Sequence, residues 1–189
     1  HGGVDPGTIG ATGTYEKHIA LSMSRAIREA LKDFAIYRVK LTRDRDIFIP
    51  LRERIEIARE SGADLFVSVH ADSIKKPNIR GASVYTLSER ASDKEAAALA
   101  EKENKADLIA GIDLSENSKE VTNILIDLAQ RDAMNQSARF ASILVGELKQ
   151  RIKLLRNTHR FAGFAVLKAP DVPSVLLEVG FLSNVRDER

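Results

Sequence analysis

The spacing of hydrophobic positions along this chain switches repeatedly between a period of about four and a period of two. In "EKHIALSMSRAIREALKDF", Ile19, Met23, Ile27 and Leu31 recur every four residues, which predicts a helix with one apolar stripe. "AIYRVKLTR" then alternates, predicting a strand centred on Ile36 to Leu41. "PLRERIEIARES" returns to helical spacing: Pro50 suits the first turn, and Leu51, Ile55 and Ala58 face one way. "ADLFVSVHA" is a short β-branched apolar run, typical of a strand covered on both faces. "GASVYTLS" reads as a further strand opened by a glycine.

The pattern then becomes rich in alanine and charge. "SDKEAAALAEKENKADLIAG" predicts helix, with Ser92 as N-cap and Gly111 as stop. "IDLSENSKE" reads as a loop. A long helix is expected from about Glu120 to about Ile152, carrying Ile124, Leu128, Ile143, Leu144 and Leu148. "GFAVLKAP" and "PSVLLEVG" read as two more strands, each bounded by Gly or Pro. Strands alternating with helices predict an α/β fold with a largely parallel sheet. Such sheets gather functional residues at the carboxyl ends of their strands. His70 ends one predicted strand, Arg43 another, and Glu178 lies near the end of a third. The segment from about Ala91 to about Lys119 interrupts this alternation and reads as an insert.

Composition narrows the field. A length of 189 residues fits one domain with a sizeable core. No apolar run is long enough to span a bilayer. The first and last residues fall inside apparent motifs, so the expectation is a fragment truncated at both ends, with a further strand ahead of His1. Against 27 acidic residues stand 29 Lys and Arg, too balanced for a nucleic-acid footprint although the pI of 8.9 is mildly basic. Aromatic residues make up only 5%, which argues against a base-stacking platform. There are no cysteines, so disulfides, thiolate zinc sites and a cysteine nucleophile are excluded.

Four residues could carry chemistry. Two His and one Glu, with a fourth position for water, form a recurrent catalytic zinc set, and the chain offers His1, Glu16 and His70. His1 precedes "GGVDPG", a run that turns tightly. Glu16 opens the first helix, where the helix dipole alone also accounts for an acid. His70 closes an apolar strand, as either a ligand or a hydrogen-bonded structural residue. These positions come from three separate elements, so their spacing pins nothing together. Glu178 stands inside the apolar run "PSVLLEVGFLSN". A carboxylate buried there needs either a partner or a chemical role. It could be general base and acid beside a metal-bound water, or half of an ion pair, for which Arg43 is a candidate. His18 and His159 read as surface or structural.

Taken together, "HGGVDPGTIGATGTYEK", "LTRDRD", "LRERIEIARESGADLFVSVHAD" and "AGFAVLKAPDVPSVLLEVGFLSN", in this order, resemble the zinc-dependent N-acetylmuramoyl-L-alanine amidases of the amidase type 3 family. The resemblance covers nearly the whole chain, 1–189. It implies a single mixed, mostly parallel sheet of about six strands flanked by helices on both faces. It implies hydrolysis of the amide between the lactyl group of N-acetylmuramic acid and L-alanine of the peptidoglycan stem peptide. It places one Zn²⁺ on His1, Glu16 and His70 and makes Glu178 the catalytic carboxylate. Arg43 is left as a supporting residue, holding either a structural or a substrate carboxylate.

"LAEKENKADLIAG" further resembles the periplasmic cell-division amidases of Gram-negative bacteria, which split septal wall as daughter cells separate. That likeness implies a periplasmic location. It also implies an autoinhibitory helix within 91–119 that covers the site until an activator with a degenerate LytM-type domain withdraws it. A carboxylate on that helix would fill the open metal position; Glu95, Glu101 and Glu103 are the candidates, with Glu103 favoured. Leu99, Leu108 and Ile109 would dock the activator or simply pack on the core. Three rivals differ in class. A carboxypeptidase-like zinc hydrolase shares the metal chemistry. A binding module for peptidoglycan or activator lacks turnover. A nucleotide-binding α/β domain is set aside because no strand leads into a G-x-G-x-x-G or Walker loop.

Overall fold

A computed structural model describes residues 1–111 and 124–188, the side chains of 124–127 excepted. The loop expected over 112–120, the end of the 91–119 insert, the helix start at Glu120 and the side chain of Ile124 lie outside the described residues.

The chain runs through α1 (Glu16–Lys32), α2 (Leu51–Glu60), β1 (Phe66–His70), β2 (Ala82–Leu87), α3 (Lys94–Glu103), α4 (Ala106–Ile109), α5 (Ile124–Leu148), β3 (Leu154–Ala162), a 3₁₀ turn (Ala165–Leu167), β4 (Ser174–Glu178) and α6 (Val185–Glu188). The strands form one mixed sheet in the order β1-β4-β2-β3. The β1–β4 and β2–β3 pairs are parallel, and β2 runs antiparallel to β4.

The sheet is sandwiched, and each face is read from strand alternation. Val175 and Leu177 of β4, with Val84 of β2, face α5 and pack against Phe140, Leu144, Val145 and Leu148. On the other face Tyr85 and Leu176 join Leu51 of α2, Leu99 of α3, Phe164 and Leu167. Because successive side chains alternate, Glu178 shares this second face with Leu176, and its register partners His70 and Ser83 share it too. A row of three polar residues thus crosses the sheet at the carboxyl end of β1 and β4.

Among the described residues the sheet has four strands, not the expected six. The alternating run Ile36 to Leu41 forms no ladder; Ile36 is 81% exposed, and no strand is paired alongside it. Alternation marks two faces, but a strand also needs a neighbour for its backbone groups. "GFAVLKAP" is not a strand either. Phe164, Val166 and Leu167 are all buried around the 3₁₀ turn, so a short apolar run meant burial on several sides rather than extension.

Three smaller expectations also shift. In α5 the buried residues are Ala133, Ser137 and Ala141, with the expected Leu144 and Leu148 packed beside them, while Leu128 and Ile143 point outward at 56% and 67% exposure. The buried residues of α1 are Glu16 and Ala20, one position off the expected stripe. Asp93, not Ser92, caps α3, because its Oδ1 accepts the Ala96 N–H at 2.9 Å.

Candidate metal centre

Four separate elements deliver side chains to one point. His1 begins a tight loop in which Gly2 and Asp5 exchange backbone hydrogen bonds of 2.9 and 3.0 Å. Asp5 is buried, and its two oxygens do different jobs: Oδ1 accepts the Gly7 N–H at 3.0 Å, and Oδ2 lies 2.7 Å from His1 Nδ1. That contact fixes the proton on Nδ1 and turns the Nε2 lone pair inward, the usual support for an imidazole metal ligand. Gly7 lets the loop pass this close. Its φ is +66°, and an added Cβ would lie 2.7 Å from Glu16 Oε2 and 2.8 Å from His1 Cδ2.

Glu16, the first residue of α1, is held by two backbone N–H groups, Thr8 to Oε2 at 2.9 Å and Ala71 to Oε1 at 3.1 Å. His70 turns Nδ1 towards Glu16 Oε1, 3.1 Å away, and places Nε2 3.1 Å from Ser68 Oγ. Glu103, the last residue of α3, brings the fourth side chain.

His1 Nε2 is 3.2 Å from Glu16 Oε1 and 3.0 Å from Glu103 Oε2. His70 Nδ1 is 3.1 Å from Glu16 Oε1 and 3.2 Å from Glu103 Oε2. A tetrahedron with zinc–ligand bonds of about 2.0–2.1 Å puts its ligand atoms about 3.3 Å apart. These four separations therefore have the size of tetrahedron edges, and all four ligand atoms lie within 4.8 Å of one another. His1 Nε2 is buried and makes no hydrogen bond of acceptable geometry despite both carboxylates nearby, so it is aimed between them rather than at either. Two imidazoles and two carboxylates converging on an orphaned lone pair fit a divalent cation.

Electrostatics point the same way. Burial alone would lower the proton affinity of His1, but the Asp5 hydrogen bond and the adjacent Glu103 and Glu16 carboxylates overcome it and push the imidazole up to about 12. Burial raises Glu16 and Glu103, yet the two histidines hold both carboxyls below the ordinary range. The cluster demands positive charge at its centre, and a divalent ion would supply it with both imidazoles neutral.

Glu178 stands beside this cluster rather than in it. It is fully buried at the register position next to His70. Burial, then the charges of Glu16, Asp72 and Glu103, push its carboxyl well above the usual range. Its Oε2 accepts the Asp72 N–H at 3.0 Å, while Oε1 has no partner. Arg43 does not reach it: that guanidinium donates to the carbonyls of Arg45 at 3.0 Å and Lys17 at 2.7 Å, bracing the loop beneath His1. Among the described residues Arg43 pairs with no carboxylate.

The insert's three candidate acids separate cleanly. Glu95 and Glu101 face solvent, the latter in a pair with Lys105 at 2.8 Å, whereas Glu103 is buried in the cluster. Leu99 packs in the core, and Leu108 and Ile109 are exposed. His18 is exposed and His159 Nε2 lies 3.0 Å from Thr86 Oγ1, both apart from the cluster.

Sequence reasoning missed Asp5, Arg54, Asp72 and Lys102. The signal for Arg54 was a charge on the apolar face of α2, between Leu51 and Ala58. It is buried, donates Nε–H to the Ile49 carbonyl at 2.8 Å, and lines a small cavity with His1, His70 and Glu103. Asp72 and Lys102 carry no pattern of their own; they meet only in three dimensions, with Lys102 bonded to Asp72 Oδ1 and, at 2.6 Å, to Thr8 Oγ1.

Residues 1–189 match the family profile described as N-acetylmuramoyl-L-alanine amidase, Amidase_3. The chain is 44% identical over 191 residues to N-acetylmuramoyl-L-alanine amidase AmiA of Escherichia coli (strain K12), covering 100% of this chain and 65% of that protein. It is 40% identical over 190 residues to AmiC of Escherichia coli O6:H1, covering 100% of this chain and 45% of that protein. The chain thus spans under two thirds of these curated relatives. Among solved structures it resembles the catalytic domain of CwlV, an N-acetylmuramoyl-L-alanine amidase from Bacillus (Paenibacillus) polymyxa var. colistinus, with a TM-score of 0.63 and 26% identity over 100% of this chain and 80% of that one. The fold is also that of an N-acetylmuramoyl-L-alanine amidase from Clostridium difficile 630, with a TM-score of 0.64 and 23% identity over 100% of this chain and 79% of that one.

Proposed function

The chain belongs to the amidase type 3 family of N-acetylmuramoyl-L-alanine amidases, and from that premise we propose that it hydrolyses the amide joining the lactyl group of N-acetylmuramic acid to L-alanine of the peptidoglycan stem peptide. The observation that carries this reading is the group of four ligand atoms spaced 3.0–3.2 Å along four edges, with a proton-avid carboxylate alongside. His1, Glu16 and His70 would hold one Zn²⁺. Bound there, the ion would polarise the scissile carbonyl and acidify a water. Asp5 and Ser68 keep the two imidazoles in the tautomers that face the ion. Glu178 takes a proton at Oε1, the oxygen without a partner, and returns it to the leaving nitrogen.

In this reading the described conformation is the closed one. Glu103 takes the position that substrate and water need, so α3 and α4, within the 91–119 insert, act as an autoinhibitory plug. The plug is anchored well beyond Glu103. Asp93 pairs with Arg160, Asn104 bonds the Gly163 carbonyl at 2.9 Å and the Ala165 N–H at 2.7 Å, and Asp107 Oδ1 accepts the Leu51 N–H at 3.0 Å. Leu108 and Ile109, exposed on α4 at the far end of the plug, suit an activator that pulls on that end. Resemblance to the division amidases supports a periplasmic location, septal wall splitting and an activator with a degenerate LytM-type domain. No helix among the described residues is long and apolar enough to cross a membrane.

The test is metal analysis together with hydrolysis of muropeptides with and without the sugar, comparing the chain, its Glu103→Ala variant and a Glu103→Ala/Glu178→Ala variant. Release of the stem-peptide amine from the sugar-bearing substrate alone, dependent on Glu178, is expected. Cleavage of the sugar-free peptide would favour a carboxypeptidase-like hydrolase, and a metal-free, inert protein would favour a binding module.

A further inference from the structure

Lys102 and Glu103 are neighbours in sequence, yet both enter the candidate site. Adjacent residues of a helix normally diverge by about 100°. Here the helix ends at once, with Asn104 as its C-cap, and the two side chains straddle the site. Glu103 Oε2 lies against His1 and His70 at 3.0 and 3.2 Å. The Lys102 ammonium bonds Asp72 Oδ1 and Thr8 Oγ1 and sits 3.8 Å from Glu103 Oε1. Thr8 Oγ1 in turn donates to Asp72 Oδ1 at 2.9 Å.

Amide hydrolysis consumes one water. The C–N bond breaks, a C–O bond forms, and both protons of the water end on nitrogen, leaving a carboxylate and an ammonium. The plug presents the same pair of groups, an ammonium 3.8 Å from a carboxylate oxygen. We infer that Thr8 and Asp72 form the subsite for the leaving amine, and that Lys102 and Glu103 close the site by imitating the ammonium and carboxylate products. This rests on the amidase reading above and assigns within it which residues receive the nitrogen.

Two further observations place the amine there. The Asp72 backbone N–H holds Glu178 Oε2 at 3.0 Å, so the group that moves the proton is tied to the residue that would receive the amine. Asp72 is itself 6% exposed, a built acceptor rather than a surface acid.

The experiment uses the full chain with both mimic groups removed, Lys102→Ala/Glu103→Ala, and two probes: L-alaninamide, with a free amine, and N-acetyl-L-alaninamide, without one. Binding is read by titration calorimetry, and muropeptide hydrolysis is followed in parallel. L-Alaninamide is expected to bind the double variant at least tenfold more tightly than its acetylated form, and to bind the unmodified chain at least tenfold more weakly than the double variant. Adding Asp72→Asn, or independently Thr8→Val, should abolish the preference for the free amine. Hydrolysis dependent on Glu178, with no amine preference or one unmoved by either substitution, overturns the subsite and leaves the amidase reading standing. Absence of any hydrolysis overturns both.

Discussion

If Glu103 plugs the proposed site, replacing it by alanine should raise basal hydrolysis. In the closed chain the Glu103 carboxylate lies 3.0 Å from His1 Nε2 and 3.2 Å from His70 Nδ1 and is buried. Removing one partner of a buried polar contact costs about 1–3 kcal/mol. Taking about 2 kcal/mol as the loss, the ratio of open to closed plug shifts by about 30-fold. Basal hydrolysis of dye-labelled sacculi by the zinc-loaded protein should rise by the same order, until the open form predominates. The remaining anchors at Asp93, Asn104 and Asp107 stay in place, so activity should remain below that of a fully opened site. Lys102→Ala should add a smaller increment, because its side chain is 43% exposed and its pair is partly screened by solvent. Unchanged basal hydrolysis in a zinc-loaded Glu103→Ala protein would refute the plug, as would an equal rise for the exposed control Glu101→Ala.

Three further outcomes follow from the same geometry. Asp5→Asn removes the carboxylate 2.7 Å from His1 Nδ1 and should weaken metal affinity by about 10–100-fold in chelator competition, with the far-ultraviolet circular dichroism unchanged. Gly7→Ala places a methyl 2.7 Å from Glu16 Oε2 at a φ of +66°, and should lower bound metal per chain by elemental analysis more than Gly13→Ala, whose added carbon meets nothing within 4 Å. Asp93→Ala removes the α3 cap and the Arg160 pair, should cost about 0.5–2 kcal/mol for the cap, and should raise basal hydrolysis by loosening the plug. Because its pair with Arg160 depresses the Asp93 carboxyl, that anchor is fully present above the ordinary aspartate range and is lost as pH falls through the depressed value. Proteolytic cleavage within the insert should therefore increase only under strong acid in the unsubstituted chain, and already at neutral pH in the variant.

Whether a residue's role was legible in the sequence depended on whether its setting is local. Glu178 announced itself because a carboxylate within "SVLLE" has no local reason to be there, and the structure finds it fully buried with one oxygen unpartnered. His70 sits at a strand end, as the apolar run before it implied. The α/β alternation survived because α1, α3 and α5 each pack against strands of the sheet. What failed was whatever needed a partner elsewhere in the chain: Ile36 to Leu41 alternates but lies beside no strand, and "GFAVLKAP" is buried by curling. Asp72 and Lys102 belong to this second class. Thirty positions apart, on a loop after β1 and at the end of a helix, they look like two ordinary surface charges. Only closure of α3 against the carboxyl ends of β1 and β4 brings them together, and the same closure carries Glu103 into the cluster while leaving Glu101, two residues earlier, in solvent. Which of Glu101 and Glu103 faces the cluster is set by where α3 stops. Its stop is fixed by Asn104 bonding both sides of the Gly163–Ala165 turn. The feature misread as a strand is therefore the one that sets which glutamate enters the site.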